Sequence, residues 1–433
     1  MGILIRGGRV VDAAAQIDKI ADVYLDDGVI QKVGEKLEAK DKDDKIIDAK
    51  GLVVMPGLVD LHVHFRDPGQ TEKEDIETGS HAAARGGVTT VVAMPNTTPV
   101  IDSPDRANYV KNKAAQVSAI HVLQAGAMTK GELGEELSDI AGMAAAGVPV
   151  LSEDGKSVMK ASLCKQAMEE AVKAGLPIFD HCEDMSLRGN GCMNEDENAK
   201  RLGLPGICNS TEDTIAARDS LLAIETGAKL HLCHCSTKGV AIMMKMLKAE
   251  GIENVTAEVC PHHFILTSDD IERDDPNYKM NPPLRTRKDV DALIEGLKDG
   301  TMDVIATDHA PHAAAEKNRS MKLASFGIVG LETSAALTYT ELVDKGILTP
   351  MQMVEKMSTN PAKILGLTDK GSVSEGKTAD LVIFDPRKEY EIDKNTFFSK
   401  GKNTPFHGWK VKGEVACTMV GGKVVYEGGQ IID

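Results

Sequence analysis

From about residue 58 the chain alternates short β-branched runs with stretches whose apolar positions recur at helical spacing. The apolar runs are LVDLHVHF, VTTVVAMPN, SAIHVLQAGAM, PVLSEDG, LPIFDHCED, KLHLCHCS, VTAEVCPHH and MDVIATDHAPH, eight in all. Between them lie amphipathic segments such as DRANYVKNKAAQV, ELSDIAGMAAAG, CKQAMEEAVKAG, TEDTIAARDSLLAIETG and KDVDALIEGLKDG, several closed by a glycine that suits a helix C-terminus. Eight alternating units predict an α/β fold, a (β/α)8 barrel of the TIM type over residues 55–367. The flanks, residues 1–54 and 368–433, are short strands punctuated by Gly and Asp, and are expected to pair into one small β-sandwich domain built from both chain ends. No solenoid repeat or low-complexity tract interrupts this plan.

In a barrel of this kind the chemistry sits at the C-terminal ends of the strands. Those ends carry His62, His64 and Arg66 on strand one, Asn96 on two, Asp154 on four, His181 on five, His234 on six, and Asp308 and His312 on eight. Period two along strand one is expected to put His62, His64 and Arg66 on one face, at the barrel mouth. Four histidines and two aspartates at converging ends are the ligand types of a Zn²⁺ site, and apolar strands offer no other reason to hold them.

A lone histidine is more often a core or surface residue than a ligand, and His81, His121, His231, His309 and His407 are read as structural. His262 and His263 in CPHH are read as supporting rather than ligating. Alternation in LCHCS is expected to turn Cys233 and Cys235 away from the face that carries His234. Arg66 could be a solvated charge; two residues from a metal ligand it suits a carboxylate clamp, which guanidinium forms in bidentate fashion. Asn96 and Asn281 could each merely make a turn, and Phe326–Gly327 in SFGIVGLET carries little by itself.

Composition narrows the field. A formal charge of −16 argues against nucleic acid and anionic membrane surfaces as partners, so an anionic small-molecule substrate must be held by a local positive site. The N-terminus lacks the apolar core of a secretory signal, no run is long enough to span a bilayer, and eight scattered cysteines without CxxC pairs fit reduced thiols; a cytoplasmic enzyme is expected.

PGLVDLHVHFRDPG, AAARGGVTTVVAMPNTTP, the EDG after strand four, HCED, HLCHCST, MNPPLR, ATDHAPH and FGIVGLET resemble the amidohydrolase superfamily, and within it the bacterial single-domain dihydroorotases, over residues 50–335. The resemblance implies zinc ligands His62, His64, Asp154, His181, His234 and Asp308, with two ions favoured over one. It also implies Asp308 as the proton-transferring residue, and His64, Arg66, Asn96, Asn281, His312 and the Phe326–Gly327 backbone as substrate contacts. The reaction implied is the reversible cyclisation of N-carbamoyl-L-aspartate to L-dihydroorotate in pyrimidine synthesis, zinc activating a water and polarising the ring carbonyl. Hydantoinases, allantoinases and the animal dihydroorotase bridge two metals through a carboxylated lysine; here LSEDG places Asp154 there, while Lys156 and Lys160 stand close enough to keep a lysine bridge open. Two alternatives also stay open: another cyclic-amide hydrolase, which does not need a carboxylate clamp, and a metal-less scaffold of the kind found beside aspartate transcarbamoylase. Homo-oligomerisation and association with aspartate transcarbamoylase are left open as well. Gly155–Met159, after Asp154, is expected to be mobile.

Overall fold

The computed structural model describes residues 2–432. Eight strands run parallel, each hydrogen-bonded to the next: Leu58–Val63, Val88–Ala93, His121–Gln124 continuing as Gly126–Ala127, Leu151–Ser152, Ile178–Asp180, Leu230–Leu232, Val255–Val259 and Val304–Ile305. The circle closes just above the strands, where Val63 pairs with His309 and the His64 N–H donates to the His309 carbonyl at 2.8 Å. This is the (β/α)8 barrel that the alternation predicts. All residues of the first two strands are buried, because helices cover the sheet on one side and the barrel interior fills the other.

The interior is packed by Val59, Leu61, Val92, Met94, Ala125, Val150, Phe179, Cys233, Val304 and Ala306. Cys233 is a correction: alternation aims it away from the site, whereas its thiol lies in one cluster with His62 and Glu258. The reason is local. Strand six ends at Leu232, and His234 adopts a left-handed φ of +35°, so strict alternation no longer applies across the pair.

Outside the barrel, helices Pro104–Val117, Ala161–Ala174, Ser210–Thr226, Lys238–Ala249 and Arg287–Asp299 bury one face each. Ala161–Ala174 stops at Gly175, whose φ of +73° turns the chain back at no steric cost. Helix Ile76–Arg85 has few large apolar residues and packs instead through Ile76 and the alanines at 82–84.

Both chain ends build one nine-stranded sheet. Leu381–Glu391 lies antiparallel to Val53–Pro56, which pairs with Ile3–Asp12, so the two ends of the chain are joined at the centre of the sheet. Ile5, Val10, Val23, Leu25, Val54, Leu381, Ile383 and Met419 form its core. The C-terminal flank is not confined to this sheet: Asn403 reaches the barrel mouth, its Oδ1 accepting from the His312 N–H at 3.1 Å. Among the described residues no helix is long and apolar enough to cross a membrane. All eight cysteines are free thiols.

Candidate active site

The barrel mouth gathers His62, His64, Asp154, His181, His234 and Asp308, each at most 6% exposed. Strand one delivers His62 at its end, and the ladder with strand two is interrupted between Asp60 and Val63, a bulge of the kind that re-aims side chains beside active sites. His64 and Arg66 lie beyond the strand, and Arg66 reaches the mouth through a left-handed turn (φ +58°), not by strand alternation. Asp308 is left-handed too, at +47°. Three non-glycine residues in this conformation at one site is strain that the surrounding fold must hold in place.

The ligand atoms form two overlapping groups. His62, His64 and Asp154 are one, and Asp154, His181 and His234 the other, the atoms in each lying within 4.8 Å of one another. Asp154 belongs to both. His62 Nε2 and Asp154 Oδ1 stand 3.1 Å apart, yet neither has a hydrogen-bond partner despite full burial. His181 Nδ1 faces His234 Nε2 at 2.9 Å. Asp308 Oδ1 lies 3.2 Å from His64 Nε2 and 3.7 Å from His62 Nε2. Buried donors of imidazole and carboxylate type converge here from five strands, and those of His62, Asp154 and His234 include atoms with no partner, an arrangement that fits divalent metal ions.

The electrostatics agree. Burial, which pushes the Asp154 carboxyl up, is outweighed by His62 and the other imidazoles, and the group is held well below the usual carboxylate range. Burial, with Arg66 next, lowers His64, and burial lowers His234, so both are neutral imidazoles with a lone pair to give. Lys156 and Lys160 do not enter the centre: both are exposed, and the Lys156 ammonium donates to the Glu132 carbonyl at 2.9 Å. The Gly155–Met159 segment is anchored midway, since Ser157 Oγ donates to the His181 carbonyl at 2.6 Å and accepts from the Glu183 N–H.

A layer of polar residues behind the ligands sets their tautomers. Asn96 Oδ1 accepts from His64 Nδ1 at 3.0 Å, leaving Nε2 as the ligand atom, and Asn96 Nδ2 donates to Asp154 Oδ2 at 2.8 Å. Glu258 stands 3.3 Å from His62 Nδ1 and 3.0 Å from His231 Nε2, and accepts the His234 N–H at 3.1 Å. Glu183 lies 3.5 Å from His181 Nε2 and is held by Asn281 Nδ2 at 2.9 Å. Asn281 thus sits behind His181. The sequence pattern by itself does not mark Glu258 and Glu183; the usable signal is a carboxylate inside the apolar run VTAEV and another directly after HC in HCED. His231, read as structural, is the outer partner of Glu258. His263 Nε2 donates to the Pro282 carbonyl at 2.9 Å, and burial brings His262 down to about 4. Because carboxylates behind metal-binding histidines raise their basicity, Glu258→Gln is expected to weaken metal retention by roughly 10–100-fold, measured by competition with a chelator.

Arg66 lies beside this centre, 8% exposed, with Nε donating to the Pro311 carbonyl at 3.3 Å and Nη2 3.4 Å from His312 Nε2. His312 Nε2 also lies 2.7 Å from the Phe326 carbonyl, so it carries the hydrogen, and the approach of Arg66 is one donor facing another. Burial, with Arg66 and Lys317, brings His312 down to about 3, a neutral ring. Gly327 has φ +127°, and a Cβ there would meet the Ala310 Cβ at 2.6 Å. Its N–H donates to the Lys279 carbonyl at 3.0 Å.

Comparison with known proteins gives the family. Residues 51–240 match the family described as Dihydro-orotase-like, and residues 328–426 match the Amidohydrolase family. The dihydroorotase of Clostridioides difficile (strain 630) is 48% identical over 425 residues, 98% of this chain and 99% of that protein. That of Acetivibrio thermocellus is 46% identical over 423 residues, 98% of both. Among solved structures, the L-hydantoinase (dihydropyrimidinase) from Arthrobacter aurescens superposes with a TM-score of 0.89 at 28% identity, covering 100% of this chain and 97% of that one. The hydantoinase shares the architecture, but near-identity in length and almost half the residues are shared with the dihydroorotases, and the chain belongs to the dihydroorotase family of the amidohydrolases.

Proposed function

We propose that this enzyme interconverts N-carbamoyl-L-aspartate and L-dihydroorotate in the cytoplasm with two zinc ions, for which Asp154, common to both ligand groups, would supply its carboxylate. His62, His64 and Asp308 would complete the shell of one ion, His181 and His234 that of the other. Bound there, zinc lowers the pKa of a water toward neutrality and polarises the carbonyl under attack.

The observation that carries the substrate assignment is Arg66. Its guanidinium is buried next to the metal ligands, and among the described residues no carboxylate pairs with it. A buried, unpaired guanidinium is costly unless a ligand supplies the anion. Both substrates carry a carboxylate that stays intact through the reaction, and Arg66, with the His312 ring fixed beside it by the Phe326 carbonyl, suits it, holding the reacting carbonyl over the ligand cluster. Asn96 keeps His64 and Asp154 in register. Asp308 is held through Oδ1 among the described residues, which leaves Oδ2 to take a proton from the attacking water and deliver it to the ring nitrogen. In the reverse direction the same oxygen starts protonated.

The hydantoinase-like reading shares the metal chemistry, but its uncharged cyclic amides leave Arg66 unpaired. Steady-state assay of metal-quantified protein with dihydroorotate, hydantoin and allantoin decides between them. Dihydroorotate is expected to be turned over with the highest kcat/KM; preference for either uncharged ring would overturn the assignment. Proton balance gives an independent check. The open chain carries one more carboxylate than the ring, so cyclisation takes up one proton, and the equilibrium ratio of ring to open chain is expected to rise about tenfold for each unit fall in pH. An equilibrium ratio that does not move with pH, measured from both directions, would rule out this pair of reactants.

A further inference from the structure

Two lysines at the barrel mouth are buried and form no ion pair among the described residues. Lys279, after the short helical turn Pro276–Tyr278, and Lys317, which closes the helix Ala314–Lys317, are each 3% exposed. Buried ammonium groups without a carboxylate are expensive, and a chain of formal charge −16 has acids to spare for pairing them.

Their hydrogen bonds converge on one turn. Lys317 Nζ donates to the carbonyls of Ser325 at 3.0 Å, Gly327 at 2.9 Å and Lys279 at 3.2 Å. Lys279 Nζ donates to the Ala324 carbonyl at 2.6 Å and lies 4.1 Å from the centre of the Phe326 ring. Asn403 Nδ2 adds a bond to the Gly327 carbonyl at 3.0 Å and another to Ala310. Residues 324–327 are therefore gripped at each position. The one carbonyl of this turn that the lysines leave alone, that of Phe326, points to His312 Nε2 and orients the ring beside Arg66.

We propose that Lys317, assisted by Lys279, is a positioning residue for the substrate carboxylate: the two ammonium groups clamp the 324–327 turn so that its Phe326 carbonyl holds His312 against Arg66, and they place positive charge behind that anion-binding corner. The inference rests on the reading of Arg66 and His312 as the carboxylate site. Neither lysine touches a metal-binding side chain, so the clamp acts on binding and not on the metal centre. Burial, then the neighbouring Lys279, brings the Lys317 ammonium down to about 7. The other charged or titratable groups facing it are Asp275, Glu316 and His312. Lys317 carries its charge below that value and loses it above, so the clamp weakens as pH rises.

The test is Lys317→Met, close to lysine in length but uncharged, with Lys279→Met beside it, each assayed with dihydroorotate after metal quantification. Lys317→Met is expected to raise KM by about tenfold or more while kcat stays within about threefold and metal content is unchanged. Wild-type KM is expected to rise between about pH 6 and 8, and Lys317→Met to lose that rise. An unchanged KM in a folded, metal-loaded Lys317→Met protein overturns the clamp, as does a fall in kcat and metal content without a change in KM. Should Lys317→Met fail to fold, the wild-type pH profile and Lys279→Met decide: a flat KM in the first, or an unaltered KM in the second, is fatal. Wild-type protein inactive on dihydroorotate would refute the proposed function and the clamp with it; wild-type activity with an unaltered Lys317→Met KM refutes the clamp alone.

Discussion

Asp154→Ala is expected to empty the metal centre and abolish turnover together. Asp154 is the residue common to both ligand groups: its Oδ1 faces His62 Nε2 at 3.1 Å, His181 Nδ1 at 3.7 Å and His234 Nε2 at 3.8 Å, and its Oδ2 lies 3.5 Å from His64 Nε2. Among the described residues it is the only carboxylate within 4 Å of all four imidazoles, so removing it leaves His181 and His234 without the carboxylate they share with His62 and His64. A metal that activates water and polarises a carbonyl supplies several kcal/mol of transition-state stabilisation, so its loss should cost about three orders of magnitude in kcat or more. Metal content by elemental analysis and kcat on the same preparation are the measurements. An Asp154→Ala protein that retains full metal, or that loses metal and keeps turnover, would remove Asp154 from the proposed metal centre. The control is Glu258→Gln, in which the ligands stay and only their support is weakened, so metal should be bound less tightly but not excluded.

Much of this site is legible in the sequence because a barrel confines its chemistry to strand ends, and the eight apolar runs mark where those ends fall. His62, His64, Asp154, His181, His234 and Asp308 stand out as polar residues that such runs have no structural use for, and they converge. What the pattern does not convey is how they are aimed. Arg66, His234 and Asp308 all sit in left-handed backbone, and strand one is bulged between Asp60 and Val63, so side chains are directed by turns to which period two is blind. Cys233 is the consequence: the same rule that finds His62 misplaces it. The supporting carboxylates are hidden for another reason. Glu258 lies within a strand read as core, and its meaning comes from His62, arriving beside it from a strand far away in sequence, and from His231 on the neighbouring strand. Lys317 and Asn403 are further cases, since their partners at 279, 310, 312, 325 and 327 are brought together by the fold and by no local signal.

Arg66→Met separates substrate binding from metal chemistry, and it should do so by a large factor. The side chain keeps similar bulk and loses the charge, so the packing around Pro311 and His312 survives while the donors to the carboxylate vanish. A charge-assisted contact of this kind contributes about 1.5–3 kcal/mol, which corresponds to a rise in KM of roughly 10–150-fold. kcat should fall as well, because a substrate held only by its reacting end samples poses in which the carbonyl is out of line with Asp308 Oδ2. Metal content should not change, since among the described residues Arg66 makes no hydrogen bond or ion pair with the six side chains proposed to hold metal. Relieving a buried positive charge lifts its influence from His64, whose imidazole it holds down after burial, so the ligand set should bind metal at least as well as before. The decisive comparison is between dihydroorotate and an uncharged ring on the same two proteins. If Arg66 holds the carboxylate, the substitution penalises dihydroorotate and leaves any activity on hydantoin unaltered, and the ratio of the two kcat/KM values collapses. A parallel loss on both rings would instead make Arg66 a support for the mouth as a whole, acting through the Pro311 carbonyl and not through the substrate.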